Sequence, residues 1–160
     1  MLKILIMICI LANIAFANDP IENPLKNYPS VKVMVTTYFT HLWSTQGAYK
    51  KVSKNNKRLG NYVAINFLPS GSIVMIPELF KTTKLEVADT LGGSGIKYYK
   101  GKKYWKVDIL RDKSEWIDDF DHPLNLYVVK INKNGKFRDN IVRQNYYRFL
   151  KSLNPTNEVK

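Results

Sequence analysis

Residues 87–97 read Val-Ala-Asp-Thr-Leu-Gly-Gly-Ser-Gly-Ile-Lys, and they indicate the architecture of the whole chain. An apolar run ends in a carboxylate, a glycine-rich segment follows, and a later apolar run carries Asp108 between Val107 and Ile109. This order predicts a strand, a tight turn and a returning strand, because glycine accepts backbone conformations that other residues avoid. Asp89 and Asp108 are therefore expected near each other, where paired carboxylates are candidates for acid/base chemistry.

Six short apolar runs, rich in Val, Ile and Tyr, alternate with clusters of Gly, Pro, Asn and Lys. Such spacing is typical of a small β-barrel or sandwich. The runs cover residues 31–39, 62–68, 72–76, 84–88, 104–110 and 124–131. A short helix is expected after Ser114 as N-cap, and a longer C-terminal helix after Asp139. The apolar stripe of the second helix consists of Val142, Tyr146, Phe149, Leu150 and Leu153.

The N-terminus resembles a secretory signal peptide covering residues 1–17. Lys3 precedes an apolar run at residues 4–11, and Ala15-Phe16-Ala17 fits a cleavage site. An uncleaved anchor is the alternative, although the run is short for a membrane span. We expect an extended lead-in at residues 18–30, a barrel domain at 31–132, and a turn, helix and tail at 133–160. The protein is thus expected in the periplasm or outside the cell, associated with the wall.

Charge points to an anionic partner. The chain has 25 Lys+Arg against 13 Asp+Glu, a formal net charge of +12. An exported basic protein is expected to meet peptidoglycan or another anionic cell-wall glycan. No recognition-helix or zinc pattern indicates nucleic acid. A monomer is expected, and the stripe of the C-terminal helix predicts core packing, with peripheral membrane contact as the alternative.

The residue inventory favours carboxylate chemistry. Cys9 is the only cysteine and lies in the signal segment, so thiol catalysis is excluded for the processed chain. His41 and His122 lack metal-ligand spacing, and Lys97 after the glycines is not followed by Ser or Thr as in a phosphate-binding loop. No metal or cofactor is therefore predicted. For Asp89 the alternative role is capping of the glycine turn through backbone amides.

Around this block the sequence resembles the three-aspartate (3D) domain family, which includes membrane-bound lytic transglycosylases. The likeness covers about residues 33–130 as an ordered set of short pieces. Asn66 stands where the family has aspartate, Leu91 is inserted in the turn, and the spacing from Asp89 to Asp108 is longer. The matching pieces are Val35-Thr36-Thr37-Tyr38, Val63-Ala64-Ile65-Asn66, Asp89-Thr90-Leu91-Gly92-Gly93, Gly95-Ile96-Lys97, Lys106-Val107-Asp108-Ile109, Asp112 and residues 125–129.

The resemblance implies a mainly β fold, a small six-stranded double-psi β-barrel with a short helix and a C-terminal helix. It implies lytic transglycosylase activity on peptidoglycan, with Asp108 as single acid/base and Asp89 in support. Burial of Asp108 between apolar neighbours is expected to keep it protonated. The glycan groove would be lined by Thr37, Tyr38, Asn66, Thr90, Gly92, Gly93, Lys97, Trp105 and Asp112.

Four alternatives stay open at this level. Residues 98–105 alternate aromatics with Lys, so they form either a sugar-stacking element or a plain surface hairpin with a protective lysine edge. The barrel as a whole is either an enzyme or a non-catalytic wall-binding module. An envelope protein that binds anionic lipid or a protein partner through its basic surface is the third reading. Trp43 and His41 could together widen the groove. The alternative for Trp43 is a place in the core, where most tryptophans are buried.

Overall fold

A computed structural model describes residues 25–39, 61–111 and 120–153 of the chain. The predicted helix at Ser114, the signal segment, and His41, Trp43 and Asp112 lie outside these ranges. The described strands are β1 (Ser30–Phe39), β2 (Tyr62–Ile65), β3 (Ile73–Met75), β4 (Leu85–Asp89), β5 (Ile96–Tyr99), β6 (Lys102–Arg111) and β7 (Leu124–Lys130); the helices are α1 (Pro77–Phe80) and α2 (Asn140–Leu153).

The strands form a closed barrel. Their order is β1-β7-β3-β4-β2-β6-β5, and an additional pairing of β1 with β6 closes six of them into a ring. The seventh, β5, lies outside the ring, and among the described strands it pairs with β6 alone. Two pairings are parallel, β1 with β6 and β2 with β4, and the others are antiparallel. The predicted mainly β six-stranded barrel is thereby confirmed, and each of the six apolar runs contains a strand.

Two elements differ from the sequence-based expectation. β5 is a separate strand, and with β6 it forms the hairpin that was the plainer reading of residues 98–105. The short helix α1 was not predicted. It begins at Pro77, whose ring fixes φ near the helical value. Proline lacks a backbone N–H, but this costs no hydrogen bond because the N–H groups of a first helical turn have no acceptor within the helix. Four residues are too few to show a helical apolar period, so the pattern gave no signal there.

The barrel interior is built from alternate residues of each strand. Val33 and Val35 on β1 face Val107 and Ile109 on β6, and all four are fully buried. Alternation puts one face of every strand inside, so each strand contributes apolar side chains at every second position. Phe67, after β2, is also fully buried and lies in the middle of this cluster.

Helix α2 completes the core at one end. Asp139 caps it, since its Oδ1 accepts a hydrogen bond of 2.9 Å from the amide of Val142. Phe149 is fully buried with its ring centre 5.0 Å from that of Phe67. The predicted core-facing role of the apolar stripe is thus confirmed for Val142 and Phe149. In the described ranges no helix is long and apolar enough to cross a membrane.

Candidate functional site

Four residues form a row across the outer surface of the barrel, one on each of four adjacent strands. On β6, Asp108 is paired with Thr36 of β1 on one side and with Ala64 of β2 on the other. Ala64 is in turn paired with Asp89 of β4. We call Asp89, Ala64, Asp108 and Thr36 the outer row. The two aspartates flank one small residue, so their backbones lie two strand spacings, roughly 10 Å, apart.

A β-bulge is what puts Asp89 into this row. Val63 of β2 pairs with Val87, but the next residue, Ala64, pairs with Asp89, so Ala88 is the extra residue in β4. Without the bulge, Asp89 would share the face of Val87, which points into the core. Bulges change the direction of side chains that follow them. The Asp89 side chain is turned outward by this irregularity, and the residue as a whole is 6% exposed.

Asp108 accepts contacts from two neighbours on the outer surface. The Thr36 hydroxyl donates to Oδ1, and the Lys106 ammonium lies 3.2 Å from Oδ2 and 3.1 Å from Oδ1. The carboxyl side chain is 15% exposed, and that of Lys106 is 33% exposed. Val107 and Ile109 point to the opposite face, into the core. A nearby ammonium and a donated hydroxyl favour the ionised carboxylate, whereas the sequence analysis expected apolar neighbours to keep Asp108 protonated; that protonation stays a prediction.

Tyr38 brings the two aspartates into one electrostatic environment. Its ring packs against Tyr62 and Leu110, two residues along the strands from the outer row. Burial, and then the charges of Asp89 and Asp108, raise the pKa of Tyr38 far above its ordinary value of 10.0. The phenol therefore stays neutral over the physiological range. Its hydroxyl oxygen is buried and has no hydrogen-bond partner within the described part of the chain.

The buried side chain of Asn66 fixes the glycine-rich turn through three hydrogen bonds. Its Oδ1 accepts from the Leu91 amide at 2.7 Å, and its Nδ2 donates to the carbonyls of Leu91 and Gly93 at 3.1 and 3.0 Å. The side chain is fully buried. Gly95 passes so close that a Cβ there would lie 2.6 Å from the Cβ of Asn66, and its φ is +69°. The structure thus places Asn66 beneath the turn, whereas the sequence analysis placed it in the substrate groove.

The same hydrogen bonds explain why an asparagine, rather than an aspartate, suits this position. A carboxylate could still accept from the Leu91 amide, but it could not donate to the two carbonyls. Buried carbonyls left beside a buried charge would be unfavourable by a few kcal/mol. In this chain the amide is required by the turn itself. The inserted Leu91, which is buried, supplies two of the three groups bonded to Asn66.

Of the remaining predicted site residues, Thr90 lies beside Asp89, and the others lie elsewhere on the barrel. Thr90 accompanies Asp89, whose Oδ1 accepts from the Thr90 amide at 2.8 Å, so the alternative capping role of Asp89 is observed. Trp105 instead packs on Phe67 with ring centres 5.0 Å apart. Gly92 and Gly93 are exposed on the turn, Thr37 is buried opposite Ile109, and Lys97 lies on the hairpin opposite Tyr104. The structure therefore brings together Tyr38, Asp89, Thr90 and Asp108.

A cleft that the sequence analysis missed opens beside Asp89. Its volume is about 350 Å³. It lies between the end of β4 and the segment that precedes α2, where Lys136, Phe137 and Arg138 follow the predicted Asn134-Gly135 turn. A basic and aromatic run directly after a turn was the available sequence signal. The lining residues are Ser70, Ala88, Asp89, Thr90, Lys136, Phe137 and Arg138.

The described part of the chain contains no group of three His, Cys, Asp or Glu side chains that could hold a metal ion. Comparisons with protein-family models, with curated proteins and with solved structures found no match to this chain. The site is therefore interpreted from its own geometry, with the three-aspartate family resemblance retained as a hypothesis.

Proposed function

We propose that this protein is an exported cell-wall protein that cleaves the bond between N-acetylmuramic acid and N-acetylglucosamine in peptidoglycan. The observation that supports this most directly is the outer row. Two aspartates, on the strands at either side of β2, flank Ala64, whose methyl group leaves space between them. A neutral phenol, Tyr38, lies within electrostatic range of both carboxylates. Together they offer one acid/base group, one supporting carboxylate and one hydroxyl that lacks a partner among the described residues.

In the proposed reaction Asp108 acts twice. Protonated Asp108 donates its proton to the glycosidic oxygen as the bond to the muramoyl C1 breaks and positive charge develops on the sugar ring. The Asp108 carboxylate then takes the proton of the muramoyl C6 hydroxyl, whose oxygen closes on C1 to give a 1,6-anhydro product. The nucleophile belongs to the substrate, so a second catalytic carboxylate is not required. Asp89 supports the charge balance beside it.

The Lys106 contact sets a condition on this mechanism. Asp108 must take up a proton before bond cleavage, while Lys106, 3.1–3.2 Å away, stabilises the charged form. We therefore expect cleavage to be faster at acidic pH than at neutral pH. Replacing Lys106 by Met keeps the length of the side chain and removes the charge, so the pH profile of cleavage should move toward neutral pH.

The same contact favours a second candidate, a non-catalytic module that binds wall glycan. A carboxylate held permanently by an ammonium and a hydroxyl resembles a structural ion pair as much as a catalytic acid. In this second reading the aspartates fix the barrel surface and accept hydrogen bonds from sugar hydroxyls. Asp108→Asn would then weaken glycan binding without any product being formed by the native protein.

Incubation of the purified protein with isolated sacculi separates the two candidates. The enzyme releases 1,6-anhydro-muropeptides, and Asp108→Asn should reduce release about 100-fold or more, the usual effect of losing a general acid/base. Asp121→Asn is the matched control, because Asp121 is an exposed aspartate whose side chain pairs with the adjacent His122. Sedimentation with sacculi in the absence of any release would support the module and reject the enzyme.

A further inference from the structure

We propose that the cleft beside Asp89 is a subsite for a sugar residue that carries a carboxylate. This inference rests on the proposed function, because it names the part of a wall glycan that the barrel would recognise. The acidic residue of such a glycan is N-acetylmuramic acid, whose lactyl ether bears a carboxyl group. The cleft residues Lys136, Phe137 and Arg138 lie outside the part of the chain that resembles the three-aspartate family.

Charge gives the first reason for an acidic ligand. Two cations, Lys136 and Arg138, line the cleft against one carboxylate, that of Asp89. The Asp89 carboxylate is nearly buried and accepts a hydrogen bond from the Thr90 amide. Lys136 is exposed. The accessible charge in the cleft is therefore mainly positive, which favours an anionic group at this place.

Arg138 is held in a fixed position at the cleft. Its Nε donates to Oδ2 of Asp139 at 2.7 Å, and its Nη1 donates to the carbonyl of Leu91 at 2.9 Å. A guanidinium group has five N–H donors, and these two contacts use two of them. A fixed guanidinium loses little conformational entropy when it binds a carboxylate. Asp139 offsets part of its charge, so Lys136 is expected to contribute more to the discrimination of acidic from neutral sugars.

The walls of the cleft are formed before any ligand binds. The Ser70 amide donates to the Lys136 carbonyl at 3.3 Å, and the Asn132 side chain donates to the Ser70 carbonyl at 2.9 Å. Gly135 approaches the Ser70 carbonyl so closely that a Cβ would lie 2.3 Å from its oxygen. The two loops are therefore locked together at a position that only glycine fits. A preformed cleft binds with a smaller ordering cost than a flexible one.

An aromatic wall suits the apolar face of a sugar ring. Phe137 is partly buried, and its ring packs against that of Tyr146 with centres 5.2 Å apart. The Arg143 guanidinium lies 5.9 Å from the centre of the Phe137 ring. Ser70 and Thr90 also line the cleft and carry hydroxyl groups that can bond to ring hydroxyls. A volume of about 350 Å³ lies at the lower end of the range for small-molecule sites and accommodates one sugar residue.

The test compares two disaccharides that differ in the lactyl group. One is N-acetylglucosamine linked to N-acetylmuramic acid, whose bond is not the one that the proposed reaction breaks; the other is chitobiose. Calorimetric titration of the full protein at low salt should show about tenfold tighter binding of the acidic disaccharide. Lys136→Gln should weaken that binding about fivefold and leave chitobiose binding unchanged, as expected for one partly screened charge contact.

Lys133→Gln is the matched control. Lys133 is also exposed and lies three residues away, but it does not line the cleft. Within the part of the chain that the structure describes, replacing the Lys136 side chain breaks no hydrogen bond or ion pair, since the bond to Ser70 uses its backbone carbonyl. Thermal melting of both variants should match that of the native protein. An equal loss of binding in Lys133→Gln would show that only the general positive charge matters, and it would overturn the proposal.

The subsite and the enzyme can fail separately. Equal affinity for the two disaccharides rejects the subsite, even if sacculi are still cleaved in an Asp108-dependent way. Unchanged product release by Asp108→Asn rejects the proposed enzyme, while preferential binding of the acidic disaccharide through Lys136 would still establish the subsite. If the acidic disaccharide is not preferred and product release does not depend on Asp108, both proposals are rejected.

Discussion

The inner and outer surfaces of the same four strands are built from alternate residues, yet they have opposite chemistry. Val35, Val63 and Ile109 point inward and are fully buried in an apolar cluster. Their neighbours Thr36 and Asp108 point outward and are also largely covered, but they share a hydrogen bond, and Asp108 forms an ion pair with Lys106. Burial alone therefore does not distinguish the core residues of this barrel from the candidate site residues. The strand face on which a residue lies distinguishes them.

The difference predicts that substitutions on the inner surface mainly change the free energy of unfolding. Phe67→Ala is the most damaging example, because Phe67 contacts both Trp105 and Phe149 with ring centres at 5.0 Å. We expect a loss of about 3–5 kcal/mol, the usual range for a buried aromatic residue that leaves a cavity. Urea unfolding followed by tryptophan fluorescence measures it. Tyr98→Ala, which removes an aromatic side chain that is 65% exposed, should change stability by less than about 0.5 kcal/mol.

Asn66 shares a property with each surface, because it is fully buried and its side chain is polar. Asn66→Asp should reduce stability by about 2–3 kcal/mol, because a carboxylate cannot donate to the carbonyls of Leu91 and Gly93. Chemical denaturation at pH 7 gives the value, with the exposed Asn134→Asp as control. A stable Asn66→Asp variant would mean that the turn tolerates the aspartate of the three-aspartate family, and the structural explanation of asparagine would be lost.

Tyr38→Phe tests the outer surface with a smaller effect of opposite sign. The Tyr38 hydroxyl is buried beside two carboxylates and has no partner in the described ranges, so its removal should stabilise the protein by up to about 1 kcal/mol. If the hydroxyl binds substrate, the same variant should weaken glycan binding. Paired measurements of melting temperature and of sacculus binding check both. Clear destabilisation would instead indicate that the native fold uses the hydroxyl.

The smallest expected effect concerns Glu78, which joins helix α1 to the outer side of β7. Partial burial raises its pKa, but hydrogen bonds from the backbone amide and side chain of Asn125 outweigh this, and the pKa falls below the ordinary 4.5. A lowered pKa stabilises the folded state above pH 4.5, and the contribution disappears as pH falls through the folded value. Because Glu78 is exposed, we expect only a few tenths of a kcal/mol.

The Glu78 contribution is measured as the difference in stability between the native protein and Glu78→Gln from pH 7 to pH 3. The difference should shrink as the pH decreases. Glu86→Gln provides a comparison at another acidic position on a strand. A difference that stays constant with pH would contradict the role assigned to the carboxylate.

The barrel strands were predictable because alternation of apolar residues is a local signal. Ile109 and Val107 could be assigned to the core from their neighbours alone. The position of Asp89 could not, since strict alternation places it with Val87 inside, and only the bulge at Ala88 turns it outward. A bulge depends on the pairing of two strands more than 20 residues apart, and it leaves no local pattern.

The candidate site shows the same limit. Asp108 and Tyr38 were identified from the sequence, but the ion pair of Asp108 with Lys106, two residues away on the same strand, was not anticipated. The roles of Asn66 and Arg138 at the glycine turn depend on contacts across 25 and 47 residues. Such contacts exist only once the barrel is closed, so residue type and spacing could not reveal them.

The order of the strands also has a consequence for the time at which this chain can fold. Among the described strands, the first, β1, pairs with β6 and β7, whose paired residues follow it by about 72 to 97 positions in the chain. Phe149 of α2 fills the interior beside Phe67. The barrel can therefore close only after β7 and α2 have been synthesised. Until then, a nascent polypeptide with this layout stays open enough to thread through a narrow pore.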